Sequence, residues 1–211
     1  MEMYRSVLEQ GESYYEEKKS EFFGFAKPVS TEEEVLAFIK EIKAKYPDAR
    51  HHVYAYVLRE NNIARFSDDR EPQGTAGMPT LDVIRKNNLV DCAVVVVRYF
   101  GGTLLGTGGL VKAYGTAARD AVYAAKIIEF ALYVYRSIDV SYTDYQKLIP
   151  LLSDERIAIE DTIFTDRVKI IISTEKDDDE SIILSVQNTI AGRAITSIIE
   201  EKFGYRKIPE K

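Results

Sequence analysis

The sequence predicts an α+β protein built as two domains, on three observations. The chain has 211 residues, a length that supports one or two compact cores. Up to Lys126, short extended segments alternate with stretches of helical periodicity. After Lys126 the composition changes and the elements follow the order β-α-β-β-α-β.

The first extended segments are Tyr4 to Leu8 and Ser20 to Val29, the latter with Phe23 and Phe25 in alternation. A helix follows. Thr31 caps it with Glu34 three residues on, and Val35, Ile39, Ile42 and Tyr46 recur at helical spacing until Pro47 stops it. His52 to Leu58 alternates as a strand, Asn61-Asn62 supplies a tight turn, and Ile63 to Phe66 returns as its hairpin partner. A loop from Asp68 to Met78 leads into Pro79 and a short helix through Leu81 and Ile84, ending near Asn87-Asn88. Ala93 to Val97 is an unbroken apolar run, the pattern of a strand buried on both faces. Past a glycine-rich loop, a long helix from about Thr107 to Lys126 buries Leu110, Tyr114, Ala117, Ala121 and Ala125, and shows Lys112, Thr116, Arg119 and Tyr123 outward. Its alanine-rich side implies close packing on a sheet.

The second half reads as a strand over Phe130 to Val140, a helix over Thr143 to Ser153, strands at Ile157 to Phe164 and Val168 to Ser173, a helix through Ile190, and a last strand from Ala194 to Tyr205. This order is the split β-α-β, ferredoxin-like plan. The run Asp177-Asp178-Asp179-Glu180 suits an exposed helix start, where unpaired N–H groups favour negative charge. The expected domains are residues 1–133 and 134–211, joined by a very short connection.

With 28 Lys+Arg against 34 Asp+Glu, the formal charge is −6, which excludes indiscriminate coating of nucleic acid. The charge is uneven, however: residues 50–126 hold ten basic and seven acidic side chains. Eight of the twelve glycines fall between Gly74 and Gly115, so the basic segment is also the glycine-rich one. One cysteine, Cys92, excludes an internal disulfide and a thiolate zinc site and fits a reducing compartment. No stretch has the length and apolarity of a membrane span, and residues 1–17 lack an apolar leader core. A cytoplasmic protein is expected, with no membrane partner.

Two motifs stand out. Arg98-Tyr99-Phe100-Gly101-Gly102 followed by Gly106-Thr107-Gly108-Gly109 joins a strand to a helix, where free amides make an anion site. The same glycines also serve a tight turn and close helix packing. Arg98, Lys112 and Arg119 favour an anionic partner. The second motif, Asp68-Asp69-Arg70-Glu71-Pro72-Gln73-Gly74-Thr75-Ala76-Gly77, offers carboxylates for a hard cation or for acid–base chemistry; equally, it is an acidic turn that bonds its own backbone. No metal or cofactor is expected. His51 and His52 are the only imidazoles, and on a strand they point to opposite faces. His52, in phase with Tyr54 and Tyr56, reads first as a hydrogen-bonded structural histidine and otherwise as the candidate base. Tyr99 and Phe100 stand closest to the basic loop as candidates for stacking on RNA bases.

Taken together, Lys18-Lys19-Ser20-Glu21-Phe22, His52 within Ala49 to Tyr56, the Asp68 to Gly77 motif, Val97 to Gly102 and Leu105 to Tyr114 resemble the IMPACT family (UPF0029), in its two-domain bacterial YigZ-like branch. The resemblance covers residues 18 to about 115. Arg70 departs from it, standing where the family pattern has glycine, so a positive φ there carries a steric cost. The resemblance implies an amino-terminal α/β domain of the RNase PH and ribosomal-protein second-domain type, and a carboxy-terminal domain similar to the fifth domain of elongation factor G. It also implies a link to translational regulation, as in eukaryotic relatives.

The leading functional expectation is a non-enzymatic, translation-associated protein that binds RNA or a ribosomal component, with no DNA partner. Its anion-binding residues would be Arg98, Tyr99, Gly101, Gly102, Gly106, Thr107, Gly108, Gly109, Lys112 and Arg119, beside a motif loop containing Asp68, Asp69, Glu71, Gly74, Thr75 and Gly77. The alternative is an enzyme on a phosphorylated or nucleotide substrate, with Asp69 and Glu71 holding magnesium and His52 as base. A third reading is an adaptor that binds a protein of the translation machinery.

Overall fold

The computed structural model describes residues 3–207; the outermost ends of the two expected domains, residues 1–2 and 208–211, lie outside it. Among the described residues the fold is mixed α+β with five α-helices and two sheets. The chain divides into two compact units, Tyr4–Glu129 and Phe130–Arg206. Among the described residues no helix is long and apolar enough to cross a membrane.

The first unit begins with β1 (Tyr4–Val7), β2 (Gly11–Glu17) and β3 (Ser20–Pro28). Between β2 and β3, Lys18 and Lys19 both have positive φ, at 49° and 64°, the geometry of a two-residue hairpin turn. Helix α1 (Glu32–Lys45) is capped as its sequence indicates, with Thr31 Oγ1 accepting from the Glu34 amide at 3.2 Å. Then come β4 (His51–Leu58), a 3-10 turn at Glu60–Asn62 and β5 (Ile63–Ser67). Helix α2 (Gly77–Lys86), β6 (Cys92–Tyr99) and helix α3 (Gly106–Ala124) complete the unit.

Five strands pair in the order β2-β3-β6-β4-β5, with every ladder antiparallel. The apolar run in β6 is central and buried from Cys92 to Arg98, as its pattern requires. Alternation along the strands builds two cores. Phe22, Val53, Ala55, Val94 and Val96 meet α2 and α3, whereas Phe25, Tyr56, Val95 and Val97 meet α1. Cys92 belongs to the first of these cores, where burial pushes its thiol up to about 12 and leaves it unreactive.

Helix α3 lies close on the sheet because both surfaces are small. Ala113, Ala117, Ala118 and Ala121 are fully buried, and a Cβ added to Gly24 would sit 2.4 Å from the Ala117 carbonyl oxygen. Glycine in β3 is therefore set by the approach of the helix backbone.

The second unit takes the remaining elements in the expected β-α-β-β-α-β order: β7 (Ile127–Val140), α4 (Tyr142–Leu152), β8 (Ala158–Phe164), β9 (Val168–Glu175), α5 (Lys176–Thr189) and β10 (Ile195–Lys207). Strand β7 pairs with both β9 and β10, and β8 lies beyond β9. Ile138, Val140, Val168, Ile170 and Ile172 form a core with Leu148 of α4 and Ile182 and Val186 of α5. One detail corrects the sequence reading of an exposed acidic helix start. Asp177 is exposed, but Asp179 is buried and accepts from Arg136 at 3.1 and 2.5 Å and from Thr174 at 3.2 Å.

The surroundings of two glycines set opposite expectations for one substitution. Gly24→Ala should lower stability by about 1–3 kcal/mol by forcing α3 away from the sheet. Gly115→Ala, on an open part of the same helix, should raise it by about 0.5–1 kcal/mol. Urea unfolding midpoints of the two variants check both signs.

Candidate functional site

The site grows from the loop between β5 and α2. A turn closes with the Glu71 amide on the Asp68 carbonyl at 2.9 Å, and its central residues Asp69 and Arg70 both have positive φ, 40° and 70°. Arg70 thus keeps the conformation that glycine adopts more easily, and its Nη2 bonds the Arg50 carbonyl at 2.8 Å. Asp68 faces the opposite way. Its carboxylate accepts from the amides of Gly74 at 2.9 Å, Ala76 at 3.0 Å and Gly77 at 2.7 Å, occupying the start of α2 where an external anion would otherwise bind. Thr75 Oγ1 donates to the Pro72 carbonyl at 2.7 Å. The acidic motif therefore braces its own loop.

Glu71 points inward. Its Oε1 accepts from Arg98 Nη1 at 2.6 Å and from the Tyr114 hydroxyl at 2.8 Å, with all three residues buried. Burial, and next the Glu71 charge, push the Tyr114 pKa far up, so the phenol stays protonated and donates. Tyr114 packs edge-on to Phe22 at 5.2 Å. Arg98 Nη2 is 3.4 Å from Ser20 Oγ, which also accepts from the Gly101 amide at 3.1 Å. Arg98 Nε has no hydrogen-bond partner among the described residues.

This arrangement corrects the expected role of Arg98. The side chain is 7% exposed and its charge is matched by Glu71, so it supports the glycine loop from below instead of meeting phosphate. Arg119 is also displaced from the loop: it lies thirteen residues into α3, about 20 Å along the helix, and pairs with Asp120 at 2.8 Å. Tyr99 is half-buried against Phe23, whereas Phe100 is 47% exposed.

The two histidines divide as alternation demands, but the phase is the reverse of the candidate assignment. In register, Phe22, Arg98 and His51 form one row, and Phe23, Val97 and His52 form the next. His51 thus faces Glu71, with Nε2 3.9 Å from Oε1 and Nδ1 bonded to the Asp69 carbonyl at 2.8 Å. His52 turns toward α1, its Nε2 bonded to the Tyr46 carbonyl at 3.0 Å, while its amide donates to Asp69 Oδ2 at 2.7 Å. His52 and Asp69 meet, with Nδ1 4.0 Å from Oδ2, but Glu71 turns inward to Arg98 and Tyr114, so the three do not converge on one point. Among the described residues no three His, Cys, Asp or Glu side chains group to hold a metal ion.

Above this base lies the glycine loop. A Cβ on Gly101 would fall 2.0 Å from the Lys19 carbonyl carbon, so the loop rests directly on the β2–β3 turn. Gly102 and Gly106 have φ of 83° and 71°, and Gly106, Thr107 and Gly108 are exposed. The residue before α3, Leu105, makes no side-chain cap, and the first turn has no acidic residue, so the helix start presents unanswered amides. Lys18, Lys19 and Lys112 are exposed, as are Phe100 and Leu104. Ser20, His51 and the Lys18-Lys19 turn are the participants that the motif reading does not single out as site residues. Their signal is strand alternation combined with the register of β3, β4 and β6.

Fold and site together define a two-domain α+β protein whose first unit displays an uncapped, glycine-rich helix start beside a lysine hairpin. Residues 18–122 match the family profile described as the Impact N-terminal domain, and residues 138–193 match a domain of unknown function, DUF1949. The chain belongs to the IMPACT family and shares the two-domain, YigZ-like organisation. It is 36% identical to IMPACT family member YvyE of Bacillus subtilis over 167 residues, covering 79% of this chain and 77% of that protein. It is 34% identical to an IMPACT family member of Haemophilus influenzae over 189 residues, covering 87% and 90%. A crystal structure described as that of a hypothetical protein is 29% identical with a TM-score of 0.59, covering 96% of this chain and 100% of that one.

The buried cluster sets a double-mutant test. Glu71→Leu should cost about 3–5 kcal/mol, because it leaves the Arg98 charge buried and unpaired. Arg98→Met in the same chain should restore part of that loss, giving a coupling energy well above the error of denaturant unfolding. Additive losses would mean that the two side chains act independently.

Proposed function

We propose that this protein is a cytoplasmic, translation-associated factor that binds RNA or an RNA-bearing ribosomal component through the glycine loop and the start of α3. The observation that carries the reading is the exposed helix start of α3, without side-chain cap or carboxylate, resting on a turn made of two lysines. Free amides and the helix dipole favour a phosphate oxygen there. Lys18, Lys19 and Lys112 add charge, and Phe100 offers an exposed ring on which a base can stack. Arg98, Glu71 and Ser20 hold the loop in place from inside.

On this reading the first unit belongs with the RNase PH and ribosomal-protein second domains, and the second with the fifth domain of elongation factor G, both suited to ribosome-associated work. The overall acidity then restricts binding to one basic face. Exposed Phe100, Leu104 and Val111 also suit contact with a protein of the translation machinery, so binding that survives nuclease treatment would favour an adaptor over an RNA binder. The enzyme reading has less support, since Glu71 is spent on Arg98 and Tyr114, apart from the His52–Asp69 contact.

Fluorescence anisotropy with a short single-stranded RNA across a salt titration tests the site. The triple variant Lys18→Ala, Lys19→Ala, Lys112→Ala should weaken binding and flatten the dependence of log K on log salt by about 0.7 for each phosphate that a lysine no longer neutralises. An unchanged slope would remove these lysines from the interface.

A further inference from the structure

The second unit contains a pocket of about 390 Å³ lined by Ser141, Thr143, Asp144, Lys147, Arg167 and Arg193. We propose that it binds a phosphate group, independently of the glycine loop. Three cations reach the pocket from three separate elements: Lys147 from α4, Arg167 from the β8–β9 connection and Arg193 from the turn after α5. Like charges brought together by the fold repel unless anions face them. Asp144 faces two of them, accepting from Arg193 Nε at 3.0 Å and Nη2 at 2.7 Å and standing 3.5 Å from Lys147 Nζ. Arg167 is held by Asp139, through Nε to the carboxylate and Nη2 to the carbonyl at 3.1 Å. Asp139 answers Arg167 from outside the lining, so three positive charges stand against two negative ones and the pocket keeps a net excess of one.

The donors left over suit a phosphate. Each guanidinium uses Nε and Nη2 on protein oxygens, which leaves Nη1 without a partner among the described residues on both. Lys147 has a single, long contact and is about half exposed. Ser141 Oγ is fixed by Asp144, accepting its amide at 3.2 Å and donating to its Oδ2 at 3.1 Å, so the hydroxyl and the carboxylate hold each other in place. The amides of Tyr142 and Thr143, at the first turn of α4, lack an intrahelical acceptor. The two remaining Nη1 groups and an ammonium around one concavity are charge-assisted donors of the kind that phosphate oxygens take up. The volume leaves room for whatever group bears the phosphate.

The test is a titration of the full chain, labelled with nitrogen-15, at constant ionic strength, with orthophosphate in one arm and a short single-stranded RNA in the other; chloride is the control. Saturable shifts at Ser141, Thr143, Asp144 and the arginine side chains are expected in at least one arm. Response to orthophosphate identifies a small phosphate-bearing ligand, and response to RNA alone a polymer phosphate. Lys147→Gln and Arg167→Gln should each weaken that binding by about tenfold, one charge-assisted contact's worth, with amide shifts elsewhere unchanged. Absence of saturable shifts in both arms, equal shifts with chloride, or unaltered affinity in both variants overturns the proposal.

Discussion

A carboxylate and a guanidinium meet 2.6 Å apart inside the first unit, and much of that unit is arranged around them. Taking two charges out of water is costly unless each finds its partner and further hydrogen bonds. Glu71 finds Arg98 and Tyr114, and Arg98 finds Glu71 and Ser20. Four segments are thereby tied together: the acidic loop, the end of β6, the buried face of α3 and the start of β3. The surface glycine loop follows directly from Arg98, with its first glycine bonded to the same Ser20.

The same constraint explains why the acidic motif is no free cluster of ligands. Asp68 answers three amides of its own loop, Asp69 answers the His52 amide, and Glu71 answers Arg98. Each carboxylate thus fixes one stretch of backbone or one buried charge. What remains open to solvent is the opposite sign of surface, uncapped amides and lysines. The second unit repeats the theme with Asp179 on Arg136, and differs at Asp144, whose Arg193 is accompanied by two further cations.

Much of the fold is legible in the sequence because local patterns decide it. The apolar run in β6, the Thr31 cap and the alanine stripe of α3 each specify an element irrespective of distant partners. The site is legible as motifs but only partly as geometry. Arg98 reads as available for phosphate because its buried partner lies twenty-seven residues away, and sequence spacing does not show which charges meet. The split of the histidine pair between two faces follows from alternation, yet which face receives which residue depends on register with Arg98 and Val97. Arg119 shares the outward face of α3 with Lys112, but the rise of the helix separates it from the loop.

The central claim is that the buried Glu71–Arg98 pair holds the exposed glycine loop in its shape. Amide hydrogen exchange in the isosteric variant Glu71→Gln, under conditions where the chain stays folded, tests it most directly. Faster exchange is expected at Gly101, Gly102 and the first amides of α3, with the amides of α1 and of the second unit unchanged. Loop amides that exchange as in the unaltered protein, while the variant is globally less stable, would contradict it.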